Sequence, residues 1–456
     1  MKQILRAIDV ANALCGKQKY EEREKYRSAS FIFALPVQEG VVLYNTLTGE
    51  MLALTETEYR DRLTDPALRK ELARKLFLVP EGFSEKDYTD QVKAVVELLR
   101  EKKDRIEKVM IFTTTDCNAR CFYCYEMGRS RVPMSDEVAR AAAAYIIRAC
   151  KGKSVKLSWF GGEPLFHQRP IEIITTELKN AGIEFASRMV SNGYLFDPET
   201  IKKARDQWKL RKVQITLDGT EQVYNRTKAY QNAEGSPFKR VLGNIAALLD
   251  AGIRVQVRMN LHKDNAEDLG KLIAELASRF SNREDFRAYV ALLQDNKGSL
   301  IGFEGMEALE SFRSLNAALL RYGLRKPKEL GRGMRMNYCM ADDDASITIL
   351  PDGRLGKCEH YSESELVGSL FSEERDTEMI AAWKEPVDRI KECESCPYYP
   401  LCTHLKKCSY TSNTCTELDR RMRLSELEER VAASYAKAER ASGDGAFFEE
   451  DGWRED

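Results

Sequence analysis

The 456-residue chain lacks a dominant charge, with 71 Lys and Arg against 72 Asp and Glu and a formal net charge of −1. So even a balance sets up no global field for a polyanion, and no basic patch is interleaved with aromatics. Nucleic-acid binding is therefore not expected. The sequence also lacks any run approaching the roughly 18–20 apolar residues that a membrane span needs. Its first apolar stretch is interrupted by Asp9 and continues into charged residues, which argues against a secretory signal. No exact internal repeat is visible. What is present is 43% hydrophobic and 31% charged residues, enough for sizeable cores and too apolar for a disordered chain. The expectation is a soluble, cytoplasmic protein of about three domains, with neither nucleic acid nor membrane as partner.

Cysteine is abundant, with twelve residues in all. Cys117, Cys121 and Cys124 form one group, and Cys339, Cys358, Cys393, Cys396, Cys402, Cys408 and Cys415 form another. Clustered thiols in a long chain without an export signal favour metal or redox chemistry over disulfides. Cys15 and Cys150 stand alone and read as small buried hydrophobes.

Residues 1–105 read as an opening helical segment followed by a winged-helix-like α+β module. Strand-like runs at 30–37, 41–45 and 51–55 make a meander, and helical patterns follow at 56–64, 66–77 and 85–105. The third strand is expected to be an exposed edge, the requirement for adding a peptide as an extra strand. Over 106–325, strand patterns at 109–115, 155–160, 185–192, 212–218, 254–261 and 286–293 alternate with helical ones. The helical patterns fall at about 136–150, 170–181, 198–208, 238–251, 265–280 and 303–322. The alternation predicts an α/β fold, a partial (β/α)6 barrel with its chemistry at the C-terminal strand ends. Periodicity fades over 326–417, where cysteines take over. Residues 418–456 read as a charged helix ending near Ser442–Gly445, with an acidic tail.

The run Cys117-Asn-Ala-Arg-Cys121-Phe-Tyr-Cys124 directly follows the first barrel strand. Thiolates at this spacing wrap a loop around one cubane and ligate three of its irons, leaving the fourth for an external ligand. A zinc site normally takes four protein ligands, and no His lies nearby to complete one. The motif resembles the radical S-adenosylmethionine (radical SAM) superfamily. The resemblance implies that Gly161-Gly162-Glu163-Pro164 holds the methionine amino group of S-adenosylmethionine. It further implies that Ser191-Asn192 contacts the ribose, that Tyr123 lies against the adenine, and that Arg258 forks onto the carboxylate. Asp218-Gly219 is either a turn or a ribose or substrate contact.

The later cysteines resemble the SPASM domain, which carries two auxiliary iron–sulfur clusters in peptide-modifying radical enzymes. The resemblance assigns Cys393, Cys396, Cys402 and Cys415 to the distal cluster and leaves Cys339, Cys358 and Cys408 for the nearer one. Cys408 follows Cys402 after five residues, where the family more often has three. With three thiols on the nearer cluster, either one iron is open or Asp342, Glu359 or His360 completes the set.

The segment VVLYNTLTGEMLALTETEY (41–59) and its element order resemble the RiPP recognition element, which captures the leader of a precursor peptide. Arg69, Lys70, Arg74 and Lys75 on the 66–77 helix are either a solvated face or a contact for an acidic leader. Together the resemblances imply a radical SAM oxidoreductase with three 4Fe-4S clusters, served by a flavodoxin- or ferredoxin-type reductant. It would join Cys sulfur to carbon as a thioether in a ribosomally made precursor peptide. Sulfatase-maturase-like formylglycine formation, carbon–carbon crosslinking, and a non-catalytic peptide-binding or electron-relay role are the alternatives.

Overall fold

The computed structural model describes residues 1–5, 25–99, 103–295, 299–303, 305–331, 337, 339–408 and 415–443. The N-terminal strands are β1 (Lys2–Leu5), β2 (Tyr26–Ser28), β3 (Ile32–Val37), β4 (Gly40–Asn45), β5 (Met51–Leu54) and β6 (Leu78–Pro80). A two-residue turn joins β3 to β4. The turn closes at Gly40, where an added Cβ would lie 2.0 Å from the Leu54 carbonyl oxygen, so no other residue fits. Thr55 caps the helix Glu56–Asp61 reciprocally with Glu58, and Asp65 with Pro66 starts the helix Pro66–Arg74. One face of this sheet buries Leu43, Leu52 and Leu54 against Leu72 and Phe77. The other face buries Val42, Tyr44 and Met51 against Leu427 and Val431 of the helix Glu417–Gly443.

Three expectations for this region are corrected. The sheet order is β1-β5-β4-β3, so the 51–55 strand is not an exposed edge: β1 pairs antiparallel along it. An open edge offers unsatisfied N–H and C=O groups, and here the chain's own first residues satisfy them. Lys2–Leu5 is accordingly extended rather than helical, while residues 6–24, including Cys15, lie outside the described residues. The helix expected at 66–77 ends at Arg74, because Leu76 turns into the left-handed region at φ 58°.

The chain then builds β7 (Lys108–Phe112), β8 (Val155–Phe160), β9 (Phe185–Ser191), β10 (Leu210–Thr216), β11 (Arg254–Leu261) and β12 (Phe286–Leu292). These six pair in parallel in chain order. Helices Asp136–Ala149, Arg169–Asn180, Pro198–Asp206, Pro237–Asp250 and Ala266–Phe280 make the crossovers. Side-chain caps from Ser135, Asp197 and Ser236 fix three of their starts. Their apolar faces cover the sheet in one core that includes Ile111, Trp159, Met189, Ile215 and Val257. Cys150 is fully buried in it, as expected.

The parallel sheet does not stop at the sixth repeat. β13 (Ser346–Ile349) pairs in parallel with β7, and β14 (Arg354–Gly356) and β15 (Gly368–Ser369) follow antiparallel. Among the described residues this is a nine-stranded sheet, and the Cys-rich region contributes three of its strands. A four-residue run is too short to carry a strand period; only its place beside β7 makes it one. No described helix is long and apolar enough to cross a membrane.

Candidate active site at the strand ends

The loop after β7 carries Cys117, Cys121 and Cys124, and hydrogen bonds hold it against the next strand end. The Gly162 N–H donates to the Thr114 carbonyl at 3.0 Å and the Glu163 N–H to the Asp116 carbonyl at 2.9 Å. The two glycines make this approach possible. A Cβ on Gly161, at φ 126°, would sit 2.1 Å from the Thr114 oxygen, and one on Gly162 would sit 2.3 Å from the Asp116 oxygen. Both contacts are with backbone, so no rotamer relieves them. Gly161→Ala is expected to cost about 3 kcal/mol through overpacking and strain. Anaerobic thermal unfolding checks this, and an unchanged midpoint would show that the cradle yields.

Glu163 is fully buried and turned into the protein. It accepts from the Ser191 hydroxyl (2.9 Å) and from the N–H groups of Asn192 (2.7 Å) and Leu165 (3.2 Å). Burial pushes its carboxyl up to about 7. Three of about four lone-pair sites are thus engaged, tying the ends of β8 and β9 together. Pro164 begins a short 3-10 turn, and its carbonyl accepts from the Thr113 hydroxyl at 3.1 Å. The Asn192 side-chain amide donates to Asn118 Oδ1 at 2.7 Å and lies 3.8 Å from Cys117 Sγ. Glycine cradle, thiol loop and Ser191-Asn192 therefore meet at one place.

Sequence reasoning singled out Tyr123 and Asp218 but missed the residue that joins them, Lys228. Lys228 ends the short helix Glu221–Lys228, which the hydrophobic pattern did not predict, and its side chain is 4% exposed. Its ammonium lies 3.0 Å from Asp218 Oδ2 and donates to the Tyr123 hydroxyl at 2.7 Å, and that hydroxyl in turn donates to Asp218. Burial opposes the lysine charge, but Asp218 beside it holds the pKa well above the ordinary value. The Asn260 N–H completes the Asp218 carboxylate at 3.1 Å. A chain link reinforces this arrangement, because the Arg120 N–H donates to the Lys228 carbonyl at 2.9 Å. Asp218 thus anchors the thiol loop to the end of β10.

Beneath the loop lies a cavity of about 330 Å³. Tyr123, Arg188, Arg258 and Asn260 line it from the barrel, and Glu359 and His360 line it from the Cys-rich region. Arg258 Nε donates to Asn260 Oδ1 at 2.8 Å. The His360 ring packs on Tyr125 with centroids 4.2 Å apart, and the Arg129 guanidinium reaches the Tyr361 carbonyl at 2.7 Å. These contacts bring the residues just after Cys124 and Cys358 face to face.

Among the described residues no three ligating side chains gather closely enough to hold a metal ion, but the later thiols influence one another in two sets. Burial and Glu359 raise the Cys358 thiol well above its ordinary value, and Cys339 and Cys408 add to the effect. Glu359 Oε2 lies 3.6 Å from Cys358 Sγ, and Asp342 Oδ1 accepts from the Cys339 N–H at 3.1 Å. Burial pushes Cys415 up to about 11, with Cys402, Cys396 and Cys393 close enough to contribute. This second group sits against the N-terminal module: Lys93 donates to the Tyr399 and Cys402 carbonyls at 3.1 Å each, and Arg389 reaches Cys402 Sγ at 3.7 Å.

The donor chemistry of the first loop fits an iron–sulfur cluster. Burial, with Glu163 nearby, pushes Cys117 up to about 12, and burial raises Cys124. Thiols so placed need an electropositive centre to become thiolates, and a cluster supplies one.

Residues 111–276 match the radical SAM superfamily profile. Among curated relatives, an uncharacterized protein of Methanocaldococcus jannaschii is 26% identical over 144 residues, 31% of this chain and 48% of that protein. The chain thus spans about half the length of that relative. A GTP 3',8-cyclase of Clostridium perfringens is 23% identical over 279 residues, 56% of this chain and 81% of the cyclase. Among solved structures, anSMEcpe with bound AdoMet superposes with a TM-score of 0.57 at 14% identity, covering 74% of this chain and all of that one. Streptococcus suis SuiB bound to its precursor peptide SuiA gives 0.50 at 13% identity, covering 83% and 94%. The matched residues carry the thiol loop and the strand ends around it, and the parallel sheet has the fold of these solved structures.

Proposed function

We propose that the chain is a radical SAM peptide maturase that installs thioether crosslinks from a cysteine sulfur to carbon. In this reading Cys117, Cys121 and Cys124 hold a 4Fe-4S cluster that supplies the electron for reductive cleavage of S-adenosylmethionine. The rest is positioning by the protein. Gly161 and Gly162 open a backbone surface to the methionine end, Asn192 and Tyr123 flank the nucleoside, and Arg258 offers its guanidinium to a carboxylate. The Tyr123–Asp218–Lys228 group keeps the loop rigid and water out beside the reacting carbon.

The observation that carries the reading is that residues adjoining Cys124 and residues adjoining Cys358 line one cavity. Glu359 and His360, next to Cys358, line the same space as Tyr123 and Arg258. A peptide carbon held there would lie near Cys358, and a fourth position left open by Cys339, Cys358 and Cys408 would suit a substrate thiolate. Thioether formation removes two hydrogens and needs an electron acceptor, which these cysteines and the set Cys393, Cys396, Cys402 and Cys415 would hold. That the structural neighbours anSMEcpe and SuiB were solved with bound peptides supports a peptide substrate.

Cys339→Ala separates the steps. With a Cys-containing peptide and a reductant under anaerobic conditions, the variant should still cleave S-adenosylmethionine but give no product lacking two hydrogens by mass spectrometry. Full crosslinking by this variant would refute the thioether assignment.

A further inference from the structure

The edge strand β5 is already occupied. β1 pairs with it through Lys2 opposite Ala53, Gln3 opposite Leu52 and Leu5 opposite Met51, with a break in register between Gln3 and Leu5. By contrast β3 and β4 pair over six unbroken positions, from Ile32 opposite Asn45 to Val37 opposite Gly40. A strand of four residues with an irregular register is the weakest element of this sheet. Yet the edge it covers is the better docking line. Met51, Leu52 and Leu54 are buried on the two faces, so an added strand gains apolar contacts above and below as well as a hydrogen-bond ladder. The opposite edge strand, β3, carries Pro36, which has no N–H to offer.

We propose that Lys2–Leu5 is a built-in competitor for the peptide-docking edge, a strand that leaves when a longer extended peptide adds to Met51–Leu54. This rests on reading residues 1–105 as a peptide-binding module. The occupant keeps the edge from pairing with other chains in the absence of peptide, which open edges otherwise do. It also sets a threshold. A tethered segment acts at an effective concentration on the order of millimolar, so a free peptide must pair over more residues or bury more apolar surface to displace it. The ladder hydrogen bonds exchange one for one, and the surplus length decides which strand stays.

The test uses the reconstituted full chain and, as probe, a fluorescent synthetic peptide of residues 1–10. Gln3→Pro with Leu5→Pro removes two N–H groups from β1 and frees the edge without altering β5. The probe is expected to bind this variant about tenfold or more tightly than the unaltered chain, because occupied molecules are not competent to bind. Equal affinity, or binding to neither protein, would overturn the proposal. A measurement without any variant guards against misfolding. In the unaltered chain, amide exchange at 51–54 should be faster than at 42–44, and protection equal to that of β4 would also overturn it. Probe binding needs no S-adenosylmethionine, so failure of the maturase reading appears separately, as the absence of modified peptide.

Discussion

Replacing Cys117, Cys121 and Cys124 together by alanine should lower the iron content of the anaerobically reconstituted chain from about twelve to about eight per molecule. S-Adenosylmethionine cleavage should fall to the uncatalysed background, the largest effect expected of any change in this protein. The three thiols lie on one loop, pinned by the Gly162 and Glu163 N–H groups to the neighbouring strand end. In the proposed reading the later thiols hold clusters of their own in two sets around Cys358 and Cys415, so about eight irons should remain. Iron and sulfide analysis, with detection of 5′-deoxyadenosine, checks both parts. Unchanged iron would mean that the first loop holds no cluster. Loss of all iron would mean that the groups are not independent.

The second large effect is expected at Lys228, through the fold of the site. Lys228→Met leaves the Asp218 carboxylate buried without its cation, a loss of about 3–5 kcal/mol. The Tyr123 hydroxyl loses its donor in the same change, so the thiol loop loosens from the end of β10. Lys228→Met combined with Asp218→Asn removes both charges and should recover most of the loss, because the penalty comes from an unpaired buried charge. Anaerobic thermal unfolding of the single and double variants decides it. Coincident curves for both variants and the unaltered chain would show that the pair contributes nothing.

The two predictions differ in what made them visible. The cysteine triplet carries its chemistry in its spacing, and Gly161-Gly162 marks a close backbone approach at a strand end. Lys228 carries no such mark. A lysine at the end of a short polar helix reads as solvent-facing, and its buried partner Asp218 comes from another element. Asn118 is similar: it lies within the cysteine motif, yet its bond to Asn192 exists only because β9 brings that residue across.

The sequence by itself determined the six-strand alternation, the thiol spacings and the glycine cradle, because each is a local period or a steric demand made by a few adjacent residues. Tertiary structure alone decided the rest. Ser346–Ile349 became a strand because β7 had an edge to offer, and Lys2–Leu5 closed the edge of β5 that the strand pattern alone leaves open. The meeting of Tyr125 with His360, and of Tyr123 with Glu359 and His360 around one cavity, joins residues more than two hundred positions apart. Periodicity reports which face of an element is buried, and it is silent on what that face or edge will meet.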